Sequence, residues 1–318
     1  MMKKLVSLVL ALMLCLSCVS ALAAEAWTVT CPWAPSGVAA MVNQKAASLS
    51  TTYSQDYVLV ANAEKGDTAT INSWLTKYTE ADPQMCFIGE GMFGITAILD
   101  PERMNFTYDD FEYVENLYSS IFVASARKEL GITSIDALKA YLEDGNQIMV
   151  GTNGATGSEA FLAAALIGAM GYGDQFYLIP YESAAEAAQA VARGEVDIAV
   201  SHQSQILETW QQGGVDVFAA FDGEPIAQGP FKGVEGVGQY GYPYFRNRCF
   251  IFAKAGADEQ KIADLKALYA QILTDEEMVD WLNNTMLLEA DMMTEEEVIA
   301  HIDNVKNIVE EYYDLVAE

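Results

Sequence analysis

Between Gln147 and His202 the chain repeats one pattern three times: a short apolar run, a break of glycine or small polar residues, then a segment of helical character. The run 148–150 has strand length and stops in the glycine-rich loop 151–157, after which Thr156, Gly157, Ser158 and Glu159 have the spacing of a capping box. A second strand, 177–179, ends at Pro180 and Tyr181. Ser183 to Glu186 then opens a helix with apolar residues at Ala185, Ala188, Val191 and Ala192, which stops at Gly194. The third strand, 196–200, brings Ser201 and His202 to its carboxyl end. Strands joined this way run parallel, and open parallel sheets place ligands at the carboxyl ends of their strands. The free N–H groups and the dipole of a helix that starts there favour an anion, so a carboxylate or phosphate fits the loop 151–157.

A chain of 318 residues with 52% hydrophobic content can bury one large core or two medium ones. The first residues, MMKKLVSLVLALMLCLSCVSALAA, have the layout of a secretory signal peptide, with cleavage expected after Ala23. Lipid anchoring at Cys18 is the less favoured reading, because Cys15 stands where a lipoprotein site has leucine. Beyond the leader the longest apolar run, 160–170, is too short for a membrane span, so an exported soluble protein, periplasmic or extracellular, is expected without direct membrane insertion. The formal net charge is −28, and loss of Lys3 and Lys4 with the leader makes it more negative. Nucleic acid and anionic membrane surfaces are disfavoured partners for such a chain.

Cleavage of the leader leaves Cys31, Cys86 and Cys249, an odd number that allows one disulfide at most plus a free thiol; all three fall in predicted strands, where buried thiols acting as small hydrophobes are the favoured reading. No spacing has the form of a metal site, and no cofactor is expected.

Upstream, 27–31 alternates like a first strand, and Pro32 to Gly37 leads it into a helix over 38–49. A strand at 57–61, a helix at 68–75 and a strand at 85–88 that ends at Gly89 and Gly91 follow. The stretch 118–126 reads as one long strand, and Ser134 caps a helix through 143. After the repeated unit come a helix at 203–212, a strand at 215–218, a loop or domain crossing rich in glycine and proline at 222–244, and a strand at 249–253. The remainder is helical: 258–273, a short helix opened by the box Thr274 to Glu277, and a long one opened by Thr294 and Glu297. In the last, Val298, Ile302, Val305, Val309, Tyr312 and Val316 form one apolar stripe.

In their order and spacing, WTVTCPWAPSG, VGTNGATGSEAFLAAAL, IPYESAAEAAQAVARGEVDIAVS and FAKAGADEQKIADLKALYAQILTDEEMVDWL resemble the substrate-binding receptors of tripartite tricarboxylate transporters, the Bug proteins. The resemblance covers nearly the whole chain after the leader. It implies an α/β fold of periplasmic-binding-protein type II, two αβ lobes joined by two crossing strands and closing on a ligand. The expected division is a leader at 1–23, one lobe from 24–124 with 246–318, and the other from 125–245. It further implies capture of a small carboxylate, delivery to membrane transporter subunits, and a monomer without catalytic activity. Carried onto this chain, the carboxylate loops are Ser36 and Gly37 on one side and Asn153, Thr156, Gly157 and Ser158 on the other. The sequence departs from the family where the first loop usually has two glycines and an aspartate, here Ser36, Gly37 and Ala40, and at the loop ANAEKGD.

Trp33, Gly89, Tyr181 and His202 complete the candidate set, the two aromatic residues as cleft walls, with plain core packing as the competing reading, and His202 as a direct contact, with hydrogen bonding to its neighbours as the competing and commoner one. Arg246 and Arg248 lie where the chain crosses back between lobes; the far end of a carboxylate ligand could meet either one, but pairing with the many acids is the favoured reading. The chain has no G-x-S-x-G elbow, no GK[ST] loop and no H-E-x-x-H. A hydrolase would have to use Ser158 and His202. A soluble sensor for a signalling partner is the other alternative, because binding folds are reused.

Overall fold

The structure is a computed structural model and describes residues 24–316. The leader read over 1–23, with Cys15 and Cys18, lies outside the described residues, as does the side chain of Val316. The first four strands are β1 (Glu25–Cys31), β2 (Tyr57–Ala63), β3 (Gln84–Gly89) and β4 (Phe111–Ser120), with helices α1 (Val38–Tyr53) and α2 (Thr68–Lys77) between them. Next come β5 (Phe122–Arg127), α3 (Ile135–Glu143), β6 (Ile148–Asn153), α4 (Ser158–Ala169), β7 (Phe176–Tyr181), α5 (Ala184–Ala192), β8 (Ile198–His202), α6 (Gln203–Gln211) and β9 (Val215–Ala220). The chain returns through 221–246 to β10 (Asn247–Lys254) and closes with α7 (Glu259–Leu273), α8 (Glu276–Trp281) and α9 (Glu295–Glu311).

These strands form two five-stranded sheets in the orders β2-β1-β3-β10-β4 and β7-β6-β8-β5-β9. The two orders are the same arrangement. In each, three parallel strands come from the lobe's own βαβ units, and the fourth arrives from the other lobe and runs antiparallel. The expectation of parallel sheets is corrected accordingly to mixed ones: a strand that enters from the far lobe points the opposite way from strands that begin at the near end. The stretch 118–126 is likewise not one strand. It breaks at Ile121, where β4 leaves the first sheet and β5 enters the second. Both halves are buried, serines included, so no exposed polar stretch marks the crossing in the sequence.

Local chemistry explains most element starts. Ser134 accepts the Ala137 N–H at the head of α3, Ser183 accepts the Glu186 N–H at the head of α5, and Thr294 with Glu297 forms a full capping box on α9. Two expected boxes are absent. The N-cap of α4 is Gly157, without a side-chain cap, and the hydroxyl of Thr156, one residue before it, accepts from Arg103. Thr274 closes α7 through the Ala270 carbonyl, and Asp275 caps α8. The buried face of α5 is Ala184, Ala187, Ala188, Ala190 and Val191, so Ala185 and Ala192 are not its core positions.

α4 is buried from Ser158 to Gly168, as its apolar sequence demands, and its start is therefore held rigidly. On α9, Val298 and Ile302 pack in the first lobe with Phe93, while Val305 and Val309 pack with the core of the second. Cys31, Cys86 and Cys249 are buried free thiols; burial pushes Cys31 up to about 12 and the other two well above the usual thiol range.

Candidate functional site

The carboxyl ends of β1 and β3 in one lobe face those of β6, β7 and β8 in the other across a cleft of about 440 Å³. Trp33, Gly37, Gly89, Asn153, Thr156, Gly157, Ser158, Tyr181 and His202 line it. Ser36 is exposed and is not part of the lining. A Cβ on Gly89 would stand 3.4 Å from Trp33 Cη2, so the edge of the indole packs at the end of β3. Tyr181 supplies the facing aromatic wall, its ring against Gly151.

Two helix starts point into this cleft. α1 begins at Gly37 with no side-chain cap and no acid in its first turn, so the N–H groups of Val38, Ala39 and Ala40 keep their partial positive charge. α4 begins at Gly157, also without a side-chain cap, but Glu159 stands in its first turn.

Buried acids near α4 dominate the electrostatics. Glu90, which follows β3, is fully buried, and its carboxylate accepts the Ser158 hydroxyl at 3.0 Å, the Asn247 amide at 2.9 Å and the Arg248 N–H at 2.8 Å. Desolvation raises its pKa, and the donors of Asn247, Arg248 and Ser158 offset this in part. Glu159 is 5% exposed. Desolvation pushes it up to about 8, helped by the negative charge of Glu90 and opposed by its own backbone N–H and the Asn153 side chain. Sequence reasoning missed Glu90 and Asn247 and took Glu159 only as a helix cap. The signal for Glu90 was its place between Gly89 and Gly91 at the carboxyl end of β3, the same position that singled out Ser201 and His202 on β8.

The cations of the rim are paired. Lys65 bridges to Glu182 across the mouth, and Arg103 contacts Asp67 and donates to Thr156 of the opposite lobe at 2.9 Å. With Ser158 to Glu90, three polar contacts therefore cross the cleft. His202 is buried, and desolvation pulls it down to about 3, which keeps the imidazole neutral. The Ser120 hydroxyl sits 2.7 Å from its Nδ1. With Ser120 as donor there, Nε2 carries the ring proton. Ser158 and His202 are thus each engaged elsewhere and do not form the dyad that a hydrolase would need. Arg246 pairs with Asp222 and Glu289, and Arg248 with Asp291, so neither guanidinium serves the cleft.

The sequence signature described as "Tripartite tricarboxylate transporter family receptor" matches residues 55–308. The chain belongs to that family. No curated protein sequence matches it significantly. Among solved structures, a protein of R. palustris with adipate superimposes with a TM-score of 0.80 at 15% identity, over 91% of this chain and 96% of that one. MatC from Rhodopseudomonas palustris with bound malate gives 0.76 at 17% identity, over 92% and 98%. The periplasmic binding protein BugD gives 0.79 at 16% identity, over 92% and 98%. At these identities the likeness is one of fold, and it establishes the type II periplasmic-binding-protein architecture. Among the described residues no helix is long and apolar enough to cross a membrane.

Proposed function

We propose that this receptor is exported, captures a small carboxylate-containing metabolite in the cleft between its lobes, and hands it to the membrane subunits of a tripartite transporter. Family membership supports the transport role, and the adipate- and malate-bound relatives support the ligand class. The observation that carries the reading is a cleft of about 440 Å³ entered by two uncapped helix starts, a volume suited to a metabolite rather than a polymer.

On this reading the ligand carboxylate lies on the first turn of α1, with Gly37 and the loop from Asn153 to Ser158 closing over it. Trp33, Tyr181 and Gly89 wall the apolar part, and the Nε2–H of His202 donates one neutral hydrogen bond. The lobes, 24–124 with 246–318 and 125–245, move about the crossings at Ile121 and 221–246, with the second half of α9 resting on the far lobe. Export with cleavage after Ala23 and a monomeric receptor complete the proposal.

The test is a thermal-shift screen of the protein from Ala24 onward against mono-, di- and tricarboxylates and amino acids, followed by titration calorimetry. A ligand present at 100 times its Kd adds about 2.7 kcal/mol of stability. We expect at least one such compound to raise the melting temperature by several degrees, binding once per chain and leaving unchanged. No stabilisation by any member of the panel, or conversion of the tightest binder, would overturn the reading.

A further inference from the structure

We propose that the segment 282–291 is a third tie between the lobes, beside the two crossings, and that Leu287 and Glu289 in it are positioning residues. Without touching the ligand, they hold the lobes in the arrangement that closes the cleft. The inference rests on the lobe movement proposed above and not on the class of ligand.

The segment is built into the first lobe. Met286 and Leu288 belong to the core that contains residues of β1, β3, β4 and β10. Ser119, near the end of β4, pairs with Glu289 through two backbone hydrogen bonds: the Ser119 N–H donates to the Glu289 carbonyl at 2.9 Å, and the Glu289 N–H to the Ser119 carbonyl at 3.1 Å. Two residues on, the Asp291 carbonyl accepts the side-chain amide of the fully buried Asn116 at 2.6 Å, and the Asp291 carboxylate accepts Arg248 Nε at 2.7 Å.

From this anchor two side chains reach the second lobe. Leu287 packs against the cluster that holds Val123, Ile206 and Ala220, and Ile121, the residue of the first crossing, packs against the same cluster. The backbone of Leu287 is left-handed, with φ 53° and ψ 44°, a conformation that strains a leucine. Strain of this kind persists only where the surrounding contacts impose it. Here it turns one side chain, between two core residues of the first lobe, onto the second lobe. The other reach is ionic. Glu289 accepts Arg246 Nη1 at 2.7 Å, and Arg246 Nη2 donates to Asp222, just past the end of β9, at 2.9 Å. Arg246 stands at the second crossing, so each crossing has one of these ties beside it. α6 of the second lobe also lies against the π-helical turn Leu282–Met286 that leads into the segment. All these contacts are made in the arrangement in which Ser158 meets Glu90. Rotation of the second lobe carries Asp222 and the seat of Leu287 away from a segment fixed to the first, so loss of either tie should shift the population toward open forms.

Spin labels on Ser36→Cys and Gln189→Cys, one exposed position in each lobe, read the distance between lobes with no ligand needed, and the native thiols are buried. Leu287→Met keeps an apolar side chain, whereas Leu287→Asn keeps the size and accepts the left-handed backbone but gives up the apolar contact. We expect Leu287→Asn to lower the ratio of short to long distances about fivefold, since part of an apolar side chain loses its seat, and Leu287→Met to leave it unchanged. Glu289→Gln alters an exposed side chain, so it keeps the fold, and should lower the ratio about twofold; it decides the matter alone if Leu287→Asn does not fold. Equal ratios in the Met and Asn variants, or a lower melting temperature with unchanged distances in Leu287→Asn and Glu289→Gln, would overturn the inference and leave Leu287 as ordinary packing. One narrow distance in the unaltered protein and in every variant would remove the lobe movement along with it.

Discussion

At the scale of single residues the cleft depends on space as much as on charge. Gly157 has φ −82° and ψ 178°, a conformation open to any residue, so its value is not conformational freedom. A Cβ there would stand 3.0 Å from the Asn153 carbonyl oxygen, and the loop would have to give by a few tenths of an ångström. Gly157→Ala should therefore cost about 1–2 kcal/mol as mild overpacking, read as a lower melting temperature. Gly157→Asp should cost a similar amount and in addition weaken the ligand at least tenfold, since it adds a negative charge beside the proposed carboxylate. Gly157→Asn separates the two effects: if calorimetry finds Asp and Asn equally damaging, charge at this loop is not what recognises the ligand. The sequence made this loop legible because glycines next to a helix start have few uses. It hid the partner of Ser158, because nothing in the local pattern says that a hydroxyl at position 158 will meet a carboxylate at position 90. Such pairings belong to the closure of two lobes, and no spacing along the chain encodes them.

At the scale of elements, the strand and helix order was legible wherever one face is apolar, and it failed where burial is not local. The first part of β4, FEYVENL, alternates poorly because Glu115 and Asn116 are buried polar residues with partners near Asp291 and Met293, far along the chain. The π-helical turn Met92–Thr96 after β3 escaped for a similar reason. It is short and gains its stability from α9, against which Gly94 is placed so closely that a Cβ would fall 2.6 Å from Val305 Cγ1. Val305 sits at the middle of α9, between the half that packs on the first lobe and the half that packs on the second. Gly94→Ala should consequently destabilise the protein by about 1–3 kcal/mol and shift α9 along with the turn. Hydrogen exchange should report it as faster exchange in α9. An unchanged melting temperature would mean that the contact is looser than the structure has it. Gly91 makes the equivalent contact across the cleft, where a Cβ would stand 2.8 Å from Ser158 Oγ. Gly91→Ala should open the lobes, break the Ser158 to Glu90 contact and lower ligand affinity with little change in global stability, a pattern that scattering and calorimetry together can read.

At the scale of the whole molecule, buried ionisable groups of both kinds set how stability depends on pH, and they act in opposite directions. His202 and His301 are lowered from 6.5 to about 3, mainly by desolvation, so between those values the unfolded chain binds protons that the fold refuses. Their contribution is full above pH 6.5 and is lost as pH falls toward 3. Glu159, raised from 4.5 to about 8, does the reverse: the fold keeps a proton that the unfolded chain gives up, so stability is full below pH 4.5 and is lost as pH rises through 8. Glu90 and Glu115, also raised by burial, add to the alkaline loss. The empty protein should accordingly melt highest on a plateau between about pH 4.5 and 6.5, where the two trends oppose each other, and lower on either side. A formal net charge of −28 adds self-repulsion on the alkaline side, and salt tells the two causes apart. At 1 M salt the screening length is about 3 Å, which quenches repulsion between surface charges but reaches a buried carboxyl group poorly. If the fall between pH 6.5 and 8.5 survives high salt and is reduced in Glu159→Gln, the buried acid is its source; if salt abolishes it, the surface is.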